Sequence, residues 1–133
     1  MNILLDTHIL LWCLYDPSKL TDTACNIIED PDNWICFSLI SLWECELKHR
    51  KHPELFEFSG HDVYEDCIRS GFKQIDLYPR HIFNLRSLET PAGLDHKDPF
   101  DKMLMSQAKT DYMLFLTHDA RIREYGIPCI KYV

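Results

Sequence analysis

No stretch of this sequence approaches the roughly 20 consecutive apolar residues that a membrane-spanning helix needs. Its start, Met1-Asn2-Ile3-Leu4-Leu5-Asp6, has no basic segment ahead of the apolar one. A soluble, unexported, cytoplasmic protein with no membrane partner is expected. None of the six cysteines (Cys13, Cys25, Cys36, Cys45, Cys67, Cys129) belongs to a Cys-x-x-Cys pair, and several fall on apolar faces, so a reduced cytosol suits them better than a secreted disulfide scaffold. Positive charge is also short, with 14 Lys and Arg against 21 Asp and Glu and a net charge of −7. That argues against a protein that holds nucleic acid through a generally basic surface. Repeats, low-complexity tracts and a linker are absent too.

What is present is one domain's worth of material. The chain has 133 residues and 15.8 kDa, and a chain of this size buries roughly 68% of its unfolded surface, enough for a core without disulfides or a structural metal. The 46% apolar and 26% charged residues exclude a disordered tail, a collagen and a coiled coil. A single domain over residues 1–133 is expected.

The periodicity reads as strands alternating with helices. A short apolar run over 2–5 precedes helical spacing at Ile9, Leu10, Trp12, Cys13 and Leu14, which Asp16-Pro17-Ser18 stops. Thr21 caps a second helix over 22–29, Trp34–Ser38 is a second strand, and a longer helix runs from Ser41 to about His52, before Pro53. A helix from about His61 closes at Gly71. Phe72, Ile75 and Leu77 mark a third strand, and Pro79 opens a helix to about Leu88. After a loop over Glu89–Lys97, Asp98 starts a helix with Met103, Leu104 and Ala108. Tyr112–Leu116 is a fourth strand, Asp119–Tyr125 a short helix and Cys129-Ile130 a last strand. This order implies an α/β fold, a three-layer α/β/α sandwich around a mainly parallel sheet.

Four of the junctions carry acids. Asp6 follows the first strand, Glu44 lies in the first turn of the helix after strand two, Asp98 and Asp101 flank Pro99-Phe100, and Asp119 follows Leu114-Phe115-Leu116-Thr117. In a parallel sheet the strand carboxyl ends and the next helix N-termini share one edge, and ligands bind there. Carboxylates gathered at that edge repel one another unless a divalent cation neutralises them, and oxygen-only ligands select Mg²⁺ or Mn²⁺. Helix capping competes as an explanation. Ser41-Leu42-Trp43-Glu44 reads as a capping box, and Asp98-Pro99-Phe100-Asp101 as an N-cap, a Pro at N1 and a first-turn acid. Capping accounts less easily for Asp6, and it does not explain why four junctions place acids on one edge.

Four ordered segments carry a resemblance: Leu4-Leu5-Asp6-Thr7-His8-Ile9-Leu10-Leu11-Trp12, Ser38-Leu39-Ile40-Ser41-Leu42-Trp43-Glu44, His96-Lys97-Asp98-Pro99-Phe100-Asp101-Lys102-Met103-Leu104 and Leu116-Thr117-His118-Asp119-Ala120. The chain resembles PIN-domain proteins over essentially its whole length, and more narrowly the toxin ribonucleases of bacterial VapBC toxin–antitoxin pairs. The resemblance implies a PIN-like fold and a metal-dependent ribonuclease whose Asp6, Glu44, Asp101 and Asp119 are catalytic and hold one or two Mg²⁺ or Mn²⁺ ions. Asp98 belongs to the third motif as a further ligand, directly or through water, or as a cap only. Lys102 stands where family members often have Arg, keeping the charge without the bidentate fork. A homodimer neutralised by a small antitoxin, whose tail occupies the active-site groove, is implied as well.

Setting the four acids aside brings the net charge from −7 to −3, so much of the acidity belongs to the expected site and RNA can be held by local cations. Candidates are Lys48, His49, Arg50, Lys51 and His52, with Lys97, Lys102, Arg121 and Arg123. The 48–52 run equally suits a helix C-terminus complemented by cations. Thr7 and Thr117 abut the acids and are candidates to bond carboxylate or phosphate; His8 and His118 are candidate proton shuttles. Cys45, His49 and His52 have spacing for a soft metal but lack a second half-site. Trp12, Trp34, Trp43, Phe37 and Phe115 are expected in the core. Rival classes fit less well. A receiver-like Mg²⁺-binding signalling domain needs an Asp ending a middle strand, and Trp34–Ser38 has none. A phosphatase needs a second acid in Asp6-Thr7-His8, and a catalytically inactive PIN-like binding module does not need all four acid positions filled.

Overall fold

The computed structural model describes residues 1–133. Along β1 (Asn2–Leu5) side chains alternate between two cores: Ile3 and Leu5 pack with Ile35, Phe37 and Leu116, whereas Leu4 packs with Cys36 and Phe115. A strand buried on both faces needs helices on both faces, which is why near-continuous apolar runs signal a parallel sheet. β2 (Trp34–Ser38), β3 (Lys73–Ile75), β4 (Leu114–Thr117) and β5 (Ile130–Tyr132) complete an all-parallel sheet of order β3-β2-β1-β4-β5. Leu4 sits opposite Cys36 on one side and Phe115 on the other.

The first face is covered by α1 (Thr7–Tyr15), α2 (Asp22–Glu29), α3 (Leu39–Lys51) and α4 (Gly60–Arg69), which bring Ile9, Leu10, Ala24, Cys45, Val63 and Cys67 to one core. The other face receives Leu104, Met105 and Ala108 of α6 (Pro99–Thr110) and Ile122 of α7 (Ala120–Arg123), with α5 (Pro79–Phe83) packed against α6. Phe37 and Phe115 are fully buried in the two cores; truncating either to Ala costs about 3–5 kcal/mol. The expected three-layer α/β/α architecture is present, and its sheet is wholly parallel.

Several boundaries differ from the sequence reading. Leu77 lies outside β3, and the helix expected from Pro79 to Leu88 ends at Phe83 and continues only as a 3₁₀ turn over Asn84–Ser87. Tyr112 does not begin β4. The Met113 amide donates to the Ala108 carbonyl at 2.9 Å, closing α6 with Tyr112 in the left-handed region at φ 55°. Trp34 and Trp43 are not core residues but 66% and 57% exposed. Trp34 opens β2 opposite Asn2 at the rim of the sheet. On α3 the buried positions are Ile40, Ser41, Glu44 and Cys45, so Trp43 faces outward, edge-on to Phe100. The buried stripe of α3 carries polar groups because it faces the site.

Candidate metal centre

The sheet order reverses at β1, which has β2 on one side and β4 on the other. The crevice beyond the strand ends at such a reversal is where open α/β sheets bind ligands. Asp6 leaves β1 there as the N-cap of α1, its Oδ1 accepting from the Thr7 amide at 2.8 Å. Its Oδ2 accepts from the Thr117 hydroxyl at 2.6 Å, across 111 positions of sequence. Asp6 is therefore a cap as well as a site acid, a role the sequence reading assigned it less readily. Burial pushes its carboxyl up to about 7 against the pull of the Thr117 and Thr7 hydrogen bonds, and the Glu44 and Asp119 charges add to the rise.

Glu44 is not a capping-box residue. α3 begins at Leu39 rather than Ser41, because Ser38 supplies the cap by accepting from the Ile40 amide at 3.0 Å. Ser41 thus sits inside the helix, and its hydroxyl pairs with that of Thr7 at 2.9 Å. Glu44 lies beyond the first turn, 4% exposed. Its Oε2 accepts from Lys48 Nζ at 2.6 Å, while its Oε1 is the one buried side-chain polar atom in the protein with no hydrogen-bond partner. Desolvation drives the Lys48 ammonium down, but the hydrogen bond and charge of Glu44 outweigh it and hold Lys48 above its ordinary range.

Asp98 is the N-cap of α6, its Oδ1 accepting from the amides of Phe100 at 2.8 Å and Asp101 at 3.2 Å, with Pro99 at N1. Capping describes Asp98 correctly. Asp101 does not cap: its Oδ2 bonds His96 Nε2 at 2.9 Å. Burial raises its carboxyl, the Asp6 charge adds to that, and the His96 hydrogen bond offsets only part. Asp119 caps α7. Burial pushes it up, yet Arg121 outweighs burial and holds it below the carboxylate range, through its amide to Oδ1 at 2.9 Å and its guanidinium to Oδ1 at 3.2 Å and Oδ2 at 2.8 Å.

Asp6, Glu44, Asp98, Asp101 and Asp119 line one groove of about 410 Å³, together with Thr7, His8, Lys48 and Arg121. Trp12, Tyr15, Phe56 and Phe58 add aromatic surface to its walls, beside Asp16 and Glu57. Lys97, Lys102 and Thr117 are not among its lining residues. Thr117 is fully buried beneath Asp6 and positions it. Of the basic run over 48–52 only Lys48 reaches the groove; Arg50 pairs with Glu46 at 2.7 Å, and the run ends α3 as its dipole favours. Arg123 lies over the Tyr132 ring.

Neither candidate proton shuttle is free. His8 accepts from the His118 amide at Nε2 and turns Nδ1 to Asp6, while His118 Nδ1 bonds the Val133 carbonyl. Cys45, His49 and His52 form no metal group: burial pushes the Cys45 thiol up to about 12, His49 Nδ1 bonds the Phe56 carbonyl, and His52 faces Glu54.

A residue without an assigned role in the sequence reading joins the site. A ring nitrogen of His96 and carboxylate oxygens of Asp101 and Asp119 lie within 4.8 Å of one another, a group able to hold a metal ion. His96 precedes the Asp98 cap by two residues, and a histidine in an irregular loop leaves no periodic signal. Two further observations fit a hard cation at this place. The unpartnered buried Oε1 of Glu44 lacks a donor, and Asp6 and Asp101 carry carboxyls raised by burial and by neighbouring carboxylates, Glu44 and Asp119 at Asp6, and Asp6, Asp98 and Glu44 at Asp101.

Residues 3–128 match the PIN domain family, and the chain belongs to it. Among solved structures it is similar to a VapBC2 complex from Rickettsia felis bound to a promoter DNA fragment, at 20% identity and a TM-score of 0.70 over 100% of this chain and 98% of that one. It is similar to a DNA-bound VapBC from Salmonella typhimurium, at 20% identity and 0.62 over 100% and 97%, and to a toxin-antitoxin complex from Klebsiella pneumoniae, at 22% and 0.60 over 97% and 95%. These likenesses establish the fold. No curated protein matches the chain.

Proposed function

We propose that this protein is a Mg²⁺- or Mn²⁺-dependent endoribonuclease, the toxin of a toxin–antitoxin pair. The observation that carries the reading is the unpartnered, buried Oε1 of Glu44 in a groove with four further acids. An isolated buried acceptor costs about 1–3 kcal/mol, and a divalent cation shared with Asp6, Asp98, Asp101 and Asp119 removes that cost. Such an ion, one or two when bound, supplies Lewis-acid polarisation of a phosphodiester.

The chain's own groups do the rest. Thr117 and the Thr7 amide fix the Asp6 carboxylate, and Lys48 holds Glu44 Oε2 so that Oε1 stays turned away from it. Lys48 and the half-exposed Arg121 are the cations placed to meet phosphate inside the groove; Lys97 and Lys102 serve RNA only beyond it. The aromatic side chains of the groove suit unstacked bases, favouring single-stranded or loop RNA over a duplex. The toxin role and an antitoxin partner draw support from the PIN family match and from the toxin–antitoxin complexes of similar fold; the homodimer and the small size of the antitoxin rest on the family resemblance alone.

The test is cleavage of single-stranded RNA by protein freed of any partner, in EDTA and then with Mg²⁺ or Mn²⁺ restored, for wild type and Glu44→Gln. Cleavage is expected only with the ion and at least about 100-fold slower in the variant, the several kcal/mol that metal polarisation contributes. Equal rates in EDTA, or in Glu44→Gln, overturn the reading.

A further inference from the structure

Resting on the metal reading above, we infer that His96, braced by Tyr125, is a positioning residue that aims Asp101 into the metal centre. His96 is 1% exposed yet belongs to the irregular segment between Leu88 and Asp98. Burying a polar ring from a loop is costly unless both nitrogens are satisfied, and here they are. Nε2 bonds Asp101 Oδ2 at 2.9 Å, and Nδ1 bonds the Tyr125 hydroxyl at 2.7 Å. Because a carboxylate only accepts, Nε2 donates to Asp101, and Nδ1 pairs with the Tyr125 hydroxyl, which can donate or accept. Tyr125 follows α7 and Asp101 opens α6, so the ring links two helices that both bring acids to the groove.

The consequence is geometric. With Oδ2 tied to His96, the other oxygen of Asp101 makes no hydrogen bond, and Asp101 lines the groove that Asp6 and Glu44 share. Direct ligation by His96 would cost it one of its two buried hydrogen bonds. Orientation of a ligating carboxylate by a donor behind it accounts for both, and such outer partners are worth 10–100-fold in metal affinity.

The experiment uses the full chain, stripped of metal, with Mn²⁺ titrated and free ion followed by electron paramagnetic resonance. Melting of the metal-free proteins runs alongside. His96→Leu is expected to weaken Mn²⁺ binding about 10–100-fold. His96→Gln, whose amide can still donate to Asp101, is expected to recover most of it. Tyr125→Phe, which keeps the ring and removes the brace together with a 3.5 Å contact to the Thr90 hydroxyl, is expected to weaken binding about threefold or more, less than loss of the direct partner. Spin-echo modulation of bound Mn²⁺ should carry no histidine nitrogen coupling. If wild type binds no Mn²⁺, the metal reading falls and the inference with it. Should wild type bind while folded His96→Leu binds within twofold, only the inference is overturned. If His96→Leu does not fold, wild-type affinity in Tyr125→Phe overturns it alone. Histidine coupling in the echo overturns positioning in favour of ligation.

Discussion

Two buried histidines of this protein each bond an aspartate through Nε2, His81 to Asp111 at 2.8 Å and His96 to Asp101 at 2.9 Å. At the first pair the accounts close. Arg80 forks onto both oxygens of Asp111 at 2.9 and 3.1 Å, His81 Nδ1 accepts from the Tyr78 amide, and these donors hold Asp111 below the carboxylate range although burial opposes them. At the second pair no arginine answers Asp101. Its neighbours are the carboxylates of Asp6, Asp98 and Glu44, and its carboxyl rises. The same local motif is a pin between α5 and the end of α6 in one place and, on the proposed reading, an unfinished coordination shell in the other. Whether an acid is structural or chemical depends on what else points at it.

The comparison breaks most sharply by removing one charge from each pair. Asp101→Asn is expected to slow metal-dependent RNA cleavage by about 100-fold or more, whereas Asp111→Asn should leave the rate within about threefold, since it lies outside the groove. Single-turnover cleavage at matched Mn²⁺ measures both. Equal losses would mean the site extends to α5.

Stability should move the other way. In EDTA, Asp111→Asn is expected to lose about 1–3 kcal/mol in urea unfolding, the worth of hydrogen bonds to a charged group. Asp101→Asn should be as stable as wild type or more so, because it relieves repulsion. A marked loss in Asp101→Asn would make it a second pin.

The smallest effect is the pH dependence of the metal-free protein. Asp6 and Asp101 bind protons more tightly folded than unfolded, so their unfavourable contribution grows as pH rises from about 4, the unfolded value, to about 7. Asp111 binds its proton less tightly folded, so its contribution is present above about pH 4 and is lost as pH falls through its lower folded value. Melting in EDTA should therefore decline between about pH 4 and 7. Asp6→Asn should flatten that decline and Asp111→Asn leave its slope unchanged.

Much of this architecture is legible in the chain. Near-continuous apolar runs at Ile3-Leu4-Leu5, Trp34–Ser38 and Leu114–Leu116 announce strands buried on both faces, and Pro99 after Asp98 marks a helix start, because these signals act over a few residues. The acids at strand ends are legible for the same reason. Glu44 is the instructive failure: Ser41-Leu42-Trp43-Glu44 satisfies the capping-box pattern, but Ser38 starts the helix earlier and leaves that pattern inside it. Trp34 and Trp43 mislead likewise, since apolar letters do not say which side of an element meets the protein.

The sequence by itself determined the alternation of strands and helices, and the gathering of acids at one edge of a parallel sheet, because period, capping and chain direction are local properties. Only the tertiary structure decided which acids are satisfied. Thr117 reaches Asp6, Arg80 closes Asp111 and His96 braces Asp101 through contacts 111, 31 and 5 positions apart. The unpartnered oxygen of Glu44 is defined by the donors absent around it, and a set of three-dimensional neighbours has no counterpart in the order of residues along the chain.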